Sequence, residues 1–212
     1  MGVNGKLIYI CGIDGAGKTT LAQNLTNIIS KNNKTVLVPS SKNSIFIPEL
    51  EIVSAKLNKT RQECFSATFR GCVWALELIN KSINYIEPAL KEYKTVIVDR
   101  YTICNRVYTY LNDKESLKII DKLHSSLPKP DIIIHLDLDW KEAWRRILKR
   151  GEPLSPKEKP EKLKEAAELY KKMINDLDVN YITLNSSLPQ QTLLDEAIKG
   201  IENLLGGVYE YG

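Results

Sequence analysis

Leu7-Ile8-Tyr9-Ile10-Cys11-Gly12-Ile13-Asp14-Gly15-Ala16-Gly17-Lys18-Thr19-Thr20-Leu21 decides how this chain is read. The apolar run Leu7 to Cys11 has the character of a strand buried on both faces. Gly12 to Thr19 fits G-x-x-x-x-G-K-[ST], and a helical pattern comes next. Strand, Gly-rich turn and helix in this order make a P-loop. Backbone N–H groups of such a turn wrap phosphate oxygens, and the helix N-terminus adds a positive field. Lys18 supplies a point charge for the β- and γ-phosphates, and the Thr19 hydroxyl a ligand for the magnesium ion that travels with a nucleoside triphosphate. Gly12, Asp14, Gly15, Ala16, Gly17, Lys18, Thr19 and Thr20 are the candidate nucleotide-binding residues. The competing reading is a Gly-rich turn that binds nothing.

A length of 212 residues suffices for one α/β domain with a substantial core, and one is expected over 1–212. A net charge of +4 suits anionic small molecules and is too mild to argue for nucleic acid. The cysteines at 11, 64, 72 and 104 have no C-x-x-C spacing and sit in apolar patterns, which predicts buried free thiols and a reducing, cytoplasmic location. Neither a signal peptide nor a membrane-spanning apolar run is visible, so no membrane partner is expected. Met1-Gly2 could begin a myristoylation signal, but Lys6 stands where that signal wants Ser or Thr.

Periodicity predicts strands at Leu7–Cys11, Thr35–Val38, Thr95–Val98, Ile132–Leu138 and Val179–Leu184, with helical segments between them. That rhythm means a five-stranded parallel sheet with helices on both faces. Pro39 to Pro48 reads as a loop at a strand end, where open α/β sheets bind ligands. Glu49 to Tyr93 reads as helical with a break near Asn58 to Thr60, and a long helix from about Arg61 carries Phe65 and Phe69. Asp99-Arg100 closes the third strand; Asp99 is placed to hold a magnesium-bound water or orient a phosphate, and Arg100 has the planar fork that grips phosphate in a bidentate way. An ordinary surface salt bridge is the bland alternative. Gly151 to Pro160 is Pro-rich and charged, either mobile or a rigid surface loop.

A P-loop alone does not separate kinases from GTPases, motors or partition ATPases, but no N-K-x-D base-reading motif is present. The chain resembles the thymidylate kinase family. That family's P-loop reads G-x-[DE]-G-x-G-K-[ST], with Asp14 at the acidic position that meets the acceptor's 3′-hydroxyl. Its D-R-[YHF] motif is matched by Asp99-Arg100-Tyr101, its I-x-P-A-L by Ile86 to Leu90, and its P-D-x-x-x-x-L-D strand by Pro130 to Asp137. Asn185-Ser186-Ser187-Leu188-Pro189 resembles its last strand-to-helix turn, beside adenine.

The resemblance implies a P-loop NTPase fold with a short lid at about 150–160, ATP and Mg2+ as cofactors, dTMP as acceptor and a homodimer. It gives Asp14, Phe65, Phe69, Arg70, Arg100, Tyr101 and Tyr108 as substrate-binding residues, and Thr19 with Asp99 as metal-binding ones. Lys18, Asp99, Arg100, Arg150 and Arg146 become the catalytic set, with Arg150 the first choice of lid arginine and Arg146 the second. Both arginines could instead be solvated helix ends. Three departures stand out. The Phe-x-x-x-Arg spacing is one residue too long between Phe65 and Arg70, the loop Pro39-Ser40-Ser41-Lys42 lacks the family's arginine, and Thr109 after Tyr108 replaces the family's Gln; the lid, besides, has Lys157 and Lys159 but no arginine. Alternatives are a related kinase for another pyrimidine nucleotide or a deoxynucleoside, and an ATP-dependent switch.

Overall fold

The computed structural model describes residues 5–40 and 44–206. Five strands, β1 (Lys6–Cys11), β2 (Thr35–Val38), β3 (Thr95–Asp99), β4 (Ile132–Asp137) and β5 (Tyr181–Asn185), lie parallel in the order β2-β3-β1-β4-β5. The three strands with unbroken apolar runs, β3, β1 and β4, are the three in the middle, because only there are both faces covered. In β5 only Leu184 is buried, which suits an edge strand.

The helices are α1 (Lys18–Ile29), α2 (Phe46–Lys56), α3 (Arg61–Cys64), α4 (Ala67–Lys81), α5 (Glu87–Glu92), α6 (Thr102–Tyr110), α7 (Leu117–His124), α8 (Trp140–Arg150), α9 (Pro160–Asn175) and α10 (Gln190–Leu205). α1 packs with α10, while α4, α6, α7 and α9 pack in a second group. Right-handed crossovers between parallel strands place the two groups on opposite faces of the sheet. This is an α/β fold, a five-stranded parallel sheet with helices around it and a P-loop after its first strand. Because β1 has β3 on one side and β4 on the other, the turn after it opens into the crevice where strand order reverses.

That turn fits only with glycine. Gly12, Gly15 and Gly17 all have positive φ, and a Cβ on Gly15 would stand 2.7 Å from the carbonyl oxygen of Ala143 in α8. The P-loop is thus packed directly against the helix that leads to the lid.

The predicted long helix from Arg61 is corrected. The chain breaks at Phe65-Ser66, where Phe65 is extended and the Ser66 side chain caps α4 by accepting from the Phe69 N–H at 3.2 Å. A Thr60/Glu63 capping box starts α3 separately. Local caps therefore outcompete the apolar periodicity, and Phe65 does not share a helix with Arg70. A π-turn at Ser82–Ile86 joins α4 to α5. Loop residues Ser41 and Lys42, and the terminal Met1-Gly2, lie outside the described residues.

All four cysteines are free; Cys11 and Cys104 are buried, Cys64 and Cys72 partly so. Cys104 and Tyr9 exchange hydrogen bonds at 3.0 Å, the hydroxyl donating to Sγ and accepting from the backbone N–H. Among the described residues no helix is long and apolar enough to cross a membrane.

His135 of β4 is buried and stacks on Tyr170 of α9, with ring centroids 5.9 Å apart. Burial pushes its imidazole down to about 4. The unfolded chain, with an ordinary value of about 6.5, binds the extra proton between those limits. Stability therefore falls as pH drops through this window, with a slope of up to about 1.4 kcal/mol per unit from this group. His135→Phe keeps the stack but cannot titrate, so urea unfolding from pH 6.5 to 4 should lose that part of the slope.

Candidate active site

The site is assembled where β1, β3 and β4 end. β1 delivers the P-loop, and β3 delivers Asp99 and Arg100. Thr19 Oγ1 donates to Asp99 Oδ2 at 2.7 Å, joining the first turn of α1 to the end of β3. Asp99 is buried, and its other oxygen, Oδ1, has no hydrogen-bond partner among the described residues. The Lys18 ammonium donates to the Ile13 carbonyl oxygen at 2.6 Å. Burial, with Arg100 nearby, pushes it down to about 8.

Asp14 is the centre of charge. Its carboxylate is paired with Arg100, receives the Lys157 ammonium at 3.1 Å and accepts from the Tyr108 hydroxyl at 3.3 Å. Burial alone would raise this carboxyl, yet Arg100 and then Lys157 and Lys18 hold it well below the usual carboxylate range. Arg100 has φ +65, a left-handed backbone that is strained for a non-glycine residue. Its Nη1 is buried with no hydrogen-bond partner among the described residues.

Two cavities flank this cluster. One, of about 370 Å³, is walled by Trp74 and Tyr108, whose rings stack at 6.0 Å, together with Arg70, Ile47, Leu50 and lid residues Ser155 to Lys157. The other, of about 260 Å³, is bounded by Gly15 to Gly17, Thr20, Arg146, Ser186 and Leu188. Ser186 Oγ donates to the Ala16 carbonyl at 2.6 Å, so the turn after β5 is stitched to the P-loop. A Gly-rich phosphate cradle between an aromatic-walled cavity and a second, mixed polar and apolar one is what joining two substrates through a phosphoryl group requires.

A family model described as thymidylate kinase matches residues 10–197. The chain belongs to the thymidylate kinase family. Similar proteins include one named probable thymidylate kinase from Archaeoglobus fulgidus, 28% identical over 94% of this chain and 96% of its own length. Others of that name come from Pyrococcus horikoshii, 29% identical over 95% and 93%, and Thermococcus onnurineus, 30% identical over 93% and 92%.

Against the thymidylate kinase pattern, Asp14, Lys18, Thr19, Asp99, Arg100 and Tyr108 come together, and Arg70 lines the larger cavity. Three placements correct the sequence reading. Phe65 and Phe69 stack on each other at 5.2 Å and are not among the residues lining that cavity, because the break at Ser66 turns this segment aside. Tyr101 is fully buried in the core, edge-on to Tyr9, with its hydroxyl donating to the Pro128 carbonyl, since the residue after Arg100 turns back under the sheet. Arg150 is paired with Glu152 at 2.7 Å and Glu158 at 2.8 Å, which ties it to the 151–160 segment, and it is not among the residues lining the cavity beside the P-loop. Arg146 is the arginine beside the P-loop, and it donates to Glu142 and to the Ser186 carbonyl.

Sequence reasoning missed two side chains. Trp74 lies one turn after Arg70, and only the stack on Tyr108 identifies it as a cavity wall. Lys157 is the basic group that the lid brings to Asp14, from a short 3₁₀ turn (Pro156–Glu158) braced by Glu158, which accepts from the Ser155 N–H and Arg150. A lysine in an arginine-free lid was the available signal.

Asp14→Asn leaves Arg100 and Lys157 without their counter-charge. It should lower the free energy of unfolding by about 3 kcal/mol, as breaking a buried pair does, and free the lid. Urea denaturation reads the first effect, and faster tryptic cleavage after Lys157 the second.

Proposed function

We propose that this chain, as one domain with a lid at about 150–160, transfers the γ-phosphoryl group of ATP to dTMP, giving dTDP and ADP. What carries the reading is the convergence of Arg100, Asp14 and Tyr108 beside a P-loop, with Tyr108 also walling the aromatic-lined cavity. Arg100 grips the acceptor phosphate with its free Nη1, and Asp14 accepts a hydrogen bond from the acceptor's 3′-hydroxyl. The base lies against Trp74 near Arg70. On the donor side the P-loop amides and Lys18 hold the triphosphate, and Arg146 neutralises charge from the α8 side. Thr19 and the unpartnered Asp99 oxygen fit magnesium, a hard cation that takes oxygen ligands, and it would offset phosphate charge during transfer.

A related pyrimidine monophosphate is the second reading. Arg70 favours it, because its guanidinium donates to the Phe65 carbonyl instead of standing free for a base edge. A panel of nucleoside monophosphates and nucleosides with ATP and magnesium, with diphosphate formation followed directly, decides between the two. dTMP as the preferred acceptor supports the first reading; turnover with another pyrimidine nucleotide and none with dTMP overturns it. Lys18→Ala should cut kcat by at least about a hundredfold while leaving the melting temperature close to wild type.

We further infer a cytoplasmic homodimer. Four free thiols suit a reducing compartment. Phe69, Leu76 and Ile83, spaced by seven, are 46%, 43% and 57% exposed, and Ile52, Val53 and Leu57 of α2 are exposed as well. A heptad stripe of this kind is self-complementary about a two-fold axis. Leu76→Glu should convert a species of twice the chain mass to one of chain mass in light scattering; a wild type that is already monomeric sinks the inference.

A further inference from the structure

Two buried charges on α4 are spent outside the phosphate-binding loop, although Lys81 is near enough to Asp99 to feel its charge. Glu77 and Lys81 are each only 5% exposed, lie one helical turn apart, and are not among the residues lining either flanking cavity. Each is committed to the same stretch of backbone from opposite ends. The Lys81 ammonium donates to the carbonyl oxygens of Pro39 at 3.1 Å and Ser40 at 2.6 Å, just after β2. The Glu77 Oε1 accepts from the Ser44 hydroxyl at 3.0 Å and from the N–H groups of Phe46 at 2.5 Å and Ile47 at 3.0 Å, at the start of α2.

The second set is a helix cap supplied from another helix. Ile45, the residue at the N-cap position of α2, has no side-chain acceptor, so the first N–H groups of α2 would go unsatisfied without Glu77. A carboxylate there also complements the positive end of α2. The first set fixes the chain as it leaves β2. The parallel register pairs Val38 with Val98, so that exit point lies beside Asp99. Helix α2, which starts at the second fixed point, reaches the acceptor side directly, since Ile47 and Leu50 wall the larger cavity.

We propose that Glu77 and Lys81 form a two-point clamp that positions the β2–α2 connection and α2 itself, and so sets the affinity for the acceptor monophosphate without touching it. The inference rests on the kinase reading proposed for the chain. The two side chains hold the connection at its described ends, 39–40 and 44–47. Both are positioning residues. Their loss should act on acceptor binding and leave the donor cavity alone, because α2 contributes nothing to the walls of the latter.

The test compares Lys81→Met and Glu77→Leu with Glu77→Gln, whose amide oxygen can still accept from the α2 N–H groups. Full steady-state kinetics are measured for dTMP and for ATP on variants whose circular dichroism matches wild type. Lys81→Gln replaces Lys81→Met if the latter does not fold. The clamp requires a rise in KM for dTMP of about tenfold in the Met and Leu variants, with KM for ATP and kcat within about twofold, and recovery of most of the loss in Glu77→Gln. An unchanged KM for dTMP, or a parallel rise in both KM values as a general loosening would give, overturns it. Wild type assayed alongside separates the two readings. Failure of wild type to phosphorylate dTMP sinks the kinase assignment, whereas normal wild-type turnover with unaffected variants sinks the clamp alone.

Discussion

The rest of this structure depends on one buried carboxylate. Asp14 sits inside a loop whose other features are arranged for phosphate, and a negative charge there is costly unless it is compensated. The compensation comes from three places remote in sequence: Arg100 from the end of β3, Tyr108 from α6 and Lys157 from the lid. Each partner drags its element with it. The pairing therefore fixes the end of β3, Tyr108 of α6 and the 156–158 turn relative to the P-loop. The same group that the site needs for chemistry is the one that organises it.

The lid obeys a similar economy of charge. Its turn has no packed core of its own, and it is held by electrostatics at both ends, through Arg150 on Glu158 and Lys157 on Asp14. Glu158 also satisfies the Ser155 N–H, so one carboxylate braces the turn internally and ties it to α8. Prolines at 156 and 160 restrict the unfolded alternatives. A lysine suffices at the inner contact because Asp14 offers a single oxygen, with the other taken by Arg100, and a fork would find no second acceptor.

Much of the fold was legible because the decisive signals are local. Unbroken apolar runs named β1, β3 and β4, and the P-loop spacing placed a phosphate cradle between the first strand and the first helix. The thymidylate kinase family was legible too, since Asp14 and Asp99-Arg100 lie in short motifs. What failed was local pattern against tertiary assignment. Phe65 and Phe69 have the right chemistry for a base-facing wall, but two serine and threonine caps divide the helix and turn them away, while Trp74 takes the wall. Arg150 and Arg146 are equivalent on a helical wheel to within one turn. Both are ion-paired, the first with Glu158 and the second with Glu142, and only tertiary placement sets the second beside the P-loop.

Arg100 carries a tension that bears on how the sequence can drift. Its left-handed backbone costs about 1 kcal/mol relative to a residue such as glycine. Glycine or asparagine would relax the chain there, yet either would leave buried Asp14 without its main counter-charge. The loss of that buried pair, about 3 kcal/mol, outweighs the strain relieved. Stability by itself therefore holds an arginine at residue 100, and drift there would be resisted even in a lineage that had lost its substrate, as it would be at the P-loop glycines.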